Sequence, residues 1–329
     1  MHDDIYVQMT DKIFMNGSQI IPELFSMIAD HREAELLLAM PGTPAQLAER
    51  LGLDPKQVER SCTVLYHKGL AFKSFKGDAV SYKMCRDLVQ FHDATILWPE
   101  APKAYHDLWQ HFMEEEWPRF AQLFAQLLPR PFTRIIPVET AVDAGTETIL
   151  DIDSASALVR NATVVAVTKC TCRLIAGKCK HTLEACLQID NAARYTIDRG
   201  SGREISKDEA LAILRQSEQE GLVHITTNKA HAGHFICNCC ACCCQSLPVM
   251  ISSGAKINDP SRFSAVIDAG LCMACGACKD SCAFNAIVEE DGLYRVLEEQ
   301  CMGCGVCHAS CPVQAIRLIE ARPTAFIPD

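Results

Sequence analysis

No stretch of this chain approaches the roughly 18 consecutive apolar residues that a membrane-spanning helix needs, so the sequence predicts no membrane insertion. Basic charge is in deficit, with 31 Lys and Arg against 41 Asp and Glu and a formal net charge of −10. That balance disfavours whole-molecule attraction to nucleic acid or an anionic membrane; it suits a basic partner protein and leaves room for a locally basic face. Glycine-rich phosphate loops are missing. No G-x-G-x-x-G follows a predicted strand, no G-x-x-x-x-G-K-[ST] occurs, and Gly200-Ser201-Gly202 is a turn in a polar loop. There is thus no sequence case for a bound dinucleotide or ATP. The start, Met1-His2-Asp3-Asp4, is acidic where a secretory signal is basic and then apolar, so the expectation is a cytoplasmic chain.

What is present is cysteine. The 329 residues, 49% hydrophobic and 22% charged, have the composition of a globular protein of two or three domains. Of the 20 cysteines, only Cys62 and Cys85 precede residue 170. Ten follow between 170 and 244 and eight between 272 and 311, in tight C-x-C, C-C and C-x-x-C groups. Adjacent cysteines are poorly placed to bridge one another and well placed to hold metal, which points to thiolate ligation of iron and sulfide in a reducing compartment.

The C-terminal group carries the strongest signal. Cys272, Cys275, Cys278 and Cys282 are spaced C-x2-C-x2-C-x3-C, and Cys301, Cys304, Cys307 and Cys311 repeat that spacing at an offset of 29. Met273/Met302, Gly276/Gly305, Ser281/Ser310 and Ala286-Ile287/Ala315-Ile316 match at the same offset, so the segment is an internal duplication. Val288–Glu290 and Tyr294–Val296, joined by Asp291-Gly292, predict a hairpin between the halves. About the last 65 residues resemble bacterial-type ferredoxins with two [4Fe-4S] clusters. The resemblance implies one cluster on Cys272, Cys275, Cys278 and Cys311, and another on Cys301, Cys304, Cys307 and Cys282. Pro312 follows Cys311 as that pattern expects, whereas Ala283 follows Cys282 where proline is usual.

In the middle region, Val164–Thr168 predicts a strand, with Cys170 and Cys172 on a loop at its end, and Cys179 and Cys186 further on. Ser206 with Glu209 reads as a capping box opening a helix that stops near Gly221. A strand over Leu222–Thr227 follows, and Phe235-Ile236 leads into Cys237, Cys239, Cys240, Cys242, Cys243 and Cys244. This order predicts a small α/β unit that brings two cysteine loops to one edge of a sheet. The ten thiols are candidate ligands of one or two further iron–sulfur clusters, because thiolates packed so densely repel unless cations neutralise them. A tetrahedral zinc site and a redox disulfide are the alternatives. Arg173, Lys178, Lys180 and His181 are candidate hydrogen-bond donors to a cluster or anion, or else solvated loop residues. The Cys-Thr-Cys-Arg and Asn-Cys-Cys-x-Cys-Cys-Cys strings resemble those of uncharacterised iron–sulfur proteins of anaerobes that end in a ferredoxin module. Ile251–Gly254 through Asn258–Pro260 reads as a linker.

Near the N-terminus, Glu33–Met40, Pro44–Leu53 and Pro55–Lys68 predict three helices, and Ala71–Lys83 a two-stranded wing around Gly77-Asp78. The string from Thr43 to Asp54, with Gly69-Leu70, is similar to winged helix-turn-helix domains of bacterial regulators. That resemblance implies a third helix presenting Lys56, Gln57, Arg60 and His67 to DNA. Residues 20–90, however, hold nine basic against nine acidic residues, which favours docking or dimerisation over DNA binding. Trp98, Trp109 and Trp117 fall between roughly 88 and 140, in a segment whose core, Ala104–Leu128, reads as largely helical, and aromatic residues at that spacing are read as core rather than as a partner groove or a cover over a cluster site.

The expected architecture is an α+β multidomain protein: a winged-helix-like domain at 1–87, a helical connector at 88–140, a cysteine-rich α/β metal-binding domain at 141–250 and a dicluster ferredoxin-like module at 251–329. The expected function is iron–sulfur electron transfer, as a carrier or oxidoreductase subunit of anaerobic metabolism. Its partner would be a redox protein, a flavoprotein among the candidates, with homo-oligomerisation left open. A redox-sensing winged-helix regulator is the alternative.

Overall fold

The computed structural model describes residues 4–77, 79–142, 151–230 and 235–329. They form a mixed α+β structure of two compact units, Met1–Phe120 with Asp198–Gly202, and Ala121–Ile197 with Arg203–Asp329.

The first unit opens with α1 (Asp4–Lys12), α2 (Ile21–Ile28), α3 (His31–Ala39), α4 (Pro44–Leu51) and α5 (Pro55–Lys68). Their limits are written locally. Asp30 with Glu33, and Thr43 with Gln46, form complete capping boxes, and Asp54 accepts from the Gln57 amide; Gly52 and Gly69 end α4 and α5 in left-handed conformation. β1 (Ala71–Lys76) and β2 (Ala79–Met84) then pair antiparallel, Ala71 opposite Met84; the expected turn residue Asp78 lies outside the described residues. α6 (Leu88–Ile96) and α7 (Lys103–Glu115) complete the helical part, followed by α8 (Trp117–Leu127), of which only the residues up to Phe120 belong to this unit. Pro118 sits in the first turn of α8, where its missing N–H costs no helical bond.

Trp109 is fully buried among Phe91, His92, Tyr105 and Phe112, which settles it as core. Trp117 is also buried. Cys62 and Cys85 are buried too, and burial pushes the Cys62 thiol up to about 11 and the Cys85 thiol higher still, leaving both as inert thiols. Asp198 accepts hydrogen bonds from Lys73 Nζ (2.7 Å) and Tyr66 Oη (2.6 Å), which hold its carboxyl below the usual range.

The second unit is built on a seven-stranded sheet. Its strands are β3 (Thr133–Ile136), β4 (Val165–Lys169), β5 (Glu184–Ile189), β6 (Arg203–Ile205), β7 (Val223–Thr227), β8 (Phe235–Cys239) and β9 (Asn258–Asp259), in the order β6-β4-β5-β8-β7-β3-β9. Every neighbouring pair is antiparallel except β3–β9. Helices α9 (Ala155–Asn161) and α12 (Lys207–Gln219) close a core of Val159, Leu214, Val165, Val167, Leu187, Ile189 and Ile236.

Three features depart from the sequence expectation. Cys172 and Arg173 lie on a short helix, α10 (Thr171–Ala176), rather than on a loop. Cys186 is within β5, whose inward residues Ala185, Leu187 and Ile189 alternate as a half-buried strand requires. The stretch read as a linker is structured: Ile251–Ser253 end α13 (Leu247–Ser253), and β9 supplies the edge partner that β3 needs.

The C-terminal repeat comprises β10 (Phe263–Ile267), α14 (Ala277–Asp280), β11 (Ile287–Glu290), β12 (Leu293–Val296), α15 (Val306–Ala309) and β13 (Ile316–Glu320). β10 pairs with β13 and β11 with β12, the latter as the expected hairpin with positive φ at Asp291 and Gly292. The duplication extends to the backbone: Ala274/Gly303, Gly276/Gly305 and Asn285/Gln314 are all left-handed, at φ 53°/63°, 79°/79° and 54°/51°.

Ala274 shows that the first position of this repeat tolerates a Cβ. At Gly303 a Cβ would overlap the Phe263 carbonyl oxygen and Ser261 Oγ. Gly303→Ala is therefore expected to destabilise the module by roughly 2–5 kcal/mol, mostly through overpacking, whereas Ala274→Gly should cost far less. Chemical denaturation followed by iron release checks both.

Candidate metal centres

The eight C-terminal cysteines divide into two sets that interleave the halves of the repeat. Cys272, Cys275, Cys278 and Cys311 line one cavity, together with Ile267, Met273, Gly276, Tyr294, Val313 and Ile316. Burial, followed by the charges of Cys272 and Cys311 among other groups, raises the Cys278 thiol. Cys282, Cys301, Cys304 and Cys307 form the other set. Burial pushes Cys304 up to about 12, with Cys282 and Cys301 adding to the shift; Cys307 is raised further by burial and by Cys304, Cys301 and Cys282. Thiols this reluctant to ionise alone give up their protons when a cation takes its place.

Backbone donors fit the same reading. The amides of Ala286 and Ala315, at equivalent places in the repeat, donate to Cys282 Sγ (3.4 Å) and Cys311 Sγ (3.2 Å), and Ala265 N–H donates to Cys301 Sγ at 3.4 Å. A space lined by four thiols, a second set of four thiols and N–H donors aimed at sulfur fit two iron–sulfur clusters. Cys278 contributes to the electrostatics of Cys307, so the sets adjoin.

The ten cysteines of the middle region meet because β4, β5, β7 and β8 bring their ends to one side of the sheet: Lys169 ends β4 beside Glu184 at the start of β5, and Cys239 ends β8 beside Val223 at the start of β7. These ten also fall into two groups. Six form a connected line. Cys172 interacts with Cys170 and Cys244, and Cys239 with Cys237 and Cys244, while Cys186 Sγ lies 3.8 Å from Cys237 Sγ. Hydrogen bonds from Cys172 and Cys239 hold the Cys244 thiol well below its ordinary value, helped by Ser246 and the Leu247 amide. Gln188 Nε2 donates to Cys186 Sγ at 3.3 Å.

Cys239 and Cys244 share one buried apolar cluster with Leu247, Ile225 and Val306, against which Cys304 also packs. The six-thiol line therefore abuts the second C-terminal set. The remaining four, Cys179, Cys240, Cys242 and Cys243, converge with all sulfurs within 4.8 Å of one another.

Arg173 stands between the two middle groups. It is 3% exposed and donates to the Thr182 carbonyl and, at 2.9 Å, to the Asn238 carbonyl. Burial disfavours its charge, yet the sulfurs of Cys170, Cys240 and Cys179 raise it above its ordinary value. The other candidate donors are placed differently: Lys178 and Lys180 have exposed side chains, and His181 pairs with Glu220 at 3.4 Å.

A buried network absent from the sequence expectation holds β8 in place. His224 Nδ1 meets Asn238 Oδ1 at 2.5 Å, and Asn238 Nδ2 donates to the Ala185 carbonyl at 2.6 Å. Its only sequence signal was Asn238, a polar residue with neighbours on both sides that are candidate ligands.

Residues 265–318 match the family model of a 4Fe-4S dicluster domain. No curated protein matches the chain. With this match and its abundant cysteines, the protein carries two [4Fe-4S] clusters and thiols for additional iron–sulfur clusters, which points to an iron–sulfur electron-transfer role and a redox partner. Among the described residues no helix is long and apolar enough to cross a membrane.

Proposed function

We propose that the chain is an electron carrier or oxidoreductase subunit of anaerobic metabolism, passing single electrons between a partner protein and a further cluster in the middle region by way of the two C-terminal clusters. The proposed ligands are Cys272, Cys275, Cys278 and Cys311 for one, Cys282, Cys301, Cys304 and Cys307 for the other, with the further cluster held among Cys170, Cys172, Cys186, Cys237, Cys239 and Cys244. The carrying observation is continuity: Cys278 acts on Cys307, and Cys304 packs on the apolar cluster that contains Cys239 and Cys244. Bound there, the clusters supply one-electron redox chemistry.

The protein's own residues do the rest. Apolar packing keeps water from the inner thiols, and backbone amides and Arg173 offset their charge. Cys275 is exposed, as are Met273 and Val313 on the rim of the same cavity, so the outer end offers an apolar contact for a partner.

Iron and acid-labile sulfide measured on anaerobically purified protein, followed by EPR under stepwise reduction, tests this. The C-terminal module alone accounts for about 8 irons and 8 sulfides. An excess with a further signal, lost when Cys239 and Cys244 are both replaced by alanine, supports the reading. About 8 irons with no further signal rejects the middle cluster.

A second reading rests on the first unit. Helices α3 to α5 followed by the β1–β2 hairpin support a winged-helix assignment, and Lys56, Gln57, Arg60 and His67 are exposed on α5. In that reading cluster state controls DNA affinity. Anaerobic gel shifts on the promoter of its own gene, in both redox states, decide it, and lack of binding in both defeats it.

A further inference from the structure

A single close pair of sulfurs identifies nothing by itself, since Cys186 and Cys237 also stand 3.8 Å apart; what identifies a site is four sulfurs converging together. In a cubane every cysteine sulfur is carried outward on its own iron, so the four protein sulfurs stand about 6 Å apart. Around one tetrahedral ion, with metal–sulfur bonds of about 2.3 Å, they stand about 3.8 Å apart. Cys179 Sγ lies 3.8 Å from Cys240 Sγ and 3.6 Å from Cys243 Sγ, and Cys242 Sγ lies 3.7 Å from Cys243 Sγ. All four sulfurs fall within 4.8 Å of one another, and among the described residues no other group of three or more Cys, His, Asp or Glu side chains is found converging this tightly.

We propose that Cys179, Cys240, Cys242 and Cys243 form a mononuclear tetrathiolate site for one divalent soft-metal ion, Zn²⁺ or Fe²⁺, separate from every iron–sulfur cluster in the chain. The site rests on sulfur geometry and stands whether or not the electron-transfer reading does. Its surroundings are those of a metal knuckle. Gly177 ends α10 at φ 59° and turns the chain toward Cys179. The amides of His181 and Lys178 serve Cys179 and Cys243, while Leu222 and Ala176 pack beside the thiols. The Arg173 guanidinium, close to Cys240 and Cys179, offsets part of the excess negative charge that four thiolates leave on a divalent ion. Cys242 alone of the four is exposed, so an ion can enter from solvent. Once bound, it pins the loop after α10 to the turn after β8, two segments that the chain alone joins only through more than 60 residues.

The test uses the full chain, purified anaerobically, with zinc, iron and acid-labile sulfide counted together. The expected result is one zinc per chain, or, where iron fills the site, iron exceeding sulfide by one. Zinc-edge X-ray absorption on Zn²⁺-loaded protein should show four sulfurs at about 2.3 Å and no iron neighbour. Co²⁺ added to protein stripped of that ion should give the visible bands of tetrahedral tetrathiolate cobalt. Cys242→Ser, at the exposed position, should abolish retention of the single ion through dialysis and leave the iron-to-sulfide stoichiometry of the clusters untouched. The proposal is overturned if Cys242→Ser removes iron and sulfide in equal numbers, or if the loaded wild-type protein shows a short iron–metal vector or no stoichiometric Zn²⁺ or Co²⁺ site.

Discussion

Cys304→Ala is expected to remove about one to four of the roughly eight irons of the C-terminal module and to cut the middle region off from a donor that docks at the exposed end. Cys304 is the junction residue. It belongs to the set with Cys282, Cys301 and Cys307, and it is also the C-terminal cysteine that packs against the apolar cluster holding Cys239 and Cys244. Its main-chain carbonyl accepts from the Val138 amide at 3.0 Å, a bond an alanine keeps, so the backbone has reason to survive the change. Cys275→Ala is the control in the other set, exposed and outside this apolar cluster. Both variants should lose iron, but Cys304→Ala should leave the first set's EPR signal intact and abolish reduction of the middle signal by a protein donor. A small mediator dye should still reduce that middle signal. Reduction by the protein donor at the wild-type rate in Cys304→Ala would break the proposed route at its central link.

What could be read from the sequence was local. The C-x2-C-x2-C-x3-C runs and their 29-residue offset lie within one short stretch, and the same offset reappears in left-handed residues and in the Ala286 and Ala315 amides. Helix α5 begins at a capping Asp54 and ends at Gly69, and both signals were visible in the sequence. What could not be read depends on contacts distant in the chain. Cys186 meets Cys237 across two antiparallel strands, and Cys179 meets Cys240 only because β4, β5 and β8 end on one side of the sheet. Ten similar thiols carry no mark that sorts six from four. Strand β5 is masked in the sequence because Cys186 stands in a series of ligand-like cysteines, while the alternation of Ala185, Leu187 and Ile189 is short. β9 consists of only two residues and is a strand only because β3 has a free edge. Arg173 stood in the sequence among Lys178, Lys180 and His181, and only burial separates its role from theirs.

That separation gives the second large effect. Arg173→Leu is expected to destabilise the second unit by roughly 3–5 kcal/mol, as removal of one partner from a buried charged constellation does. Two terms act together. The Thr182 and Asn238 carbonyls lose charged donors inside the fold, at about 1.5–3 kcal/mol for each such bond. The sulfurs of Cys170, Cys240 and Cys179 lose the cation that burial would have expelled had they not held it. The second term has its own readout, because a positive charge beside a metal–thiolate site stabilises the reduced, more negative state. Without it the midpoint potential of the middle signal should move to more negative values. Arg173→Lys keeps the charge but cannot reproduce the planar fork that spans two carbonyls, so it should recover most of the potential and only part of the stability. Thermal melts and redox titrations of both variants separate these contributions. A leucine variant that melts lower at an unchanged potential would make Arg173 a structural clasp, whereas movement of both would show that one buried guanidinium both ties the loops together and tunes the metal they carry.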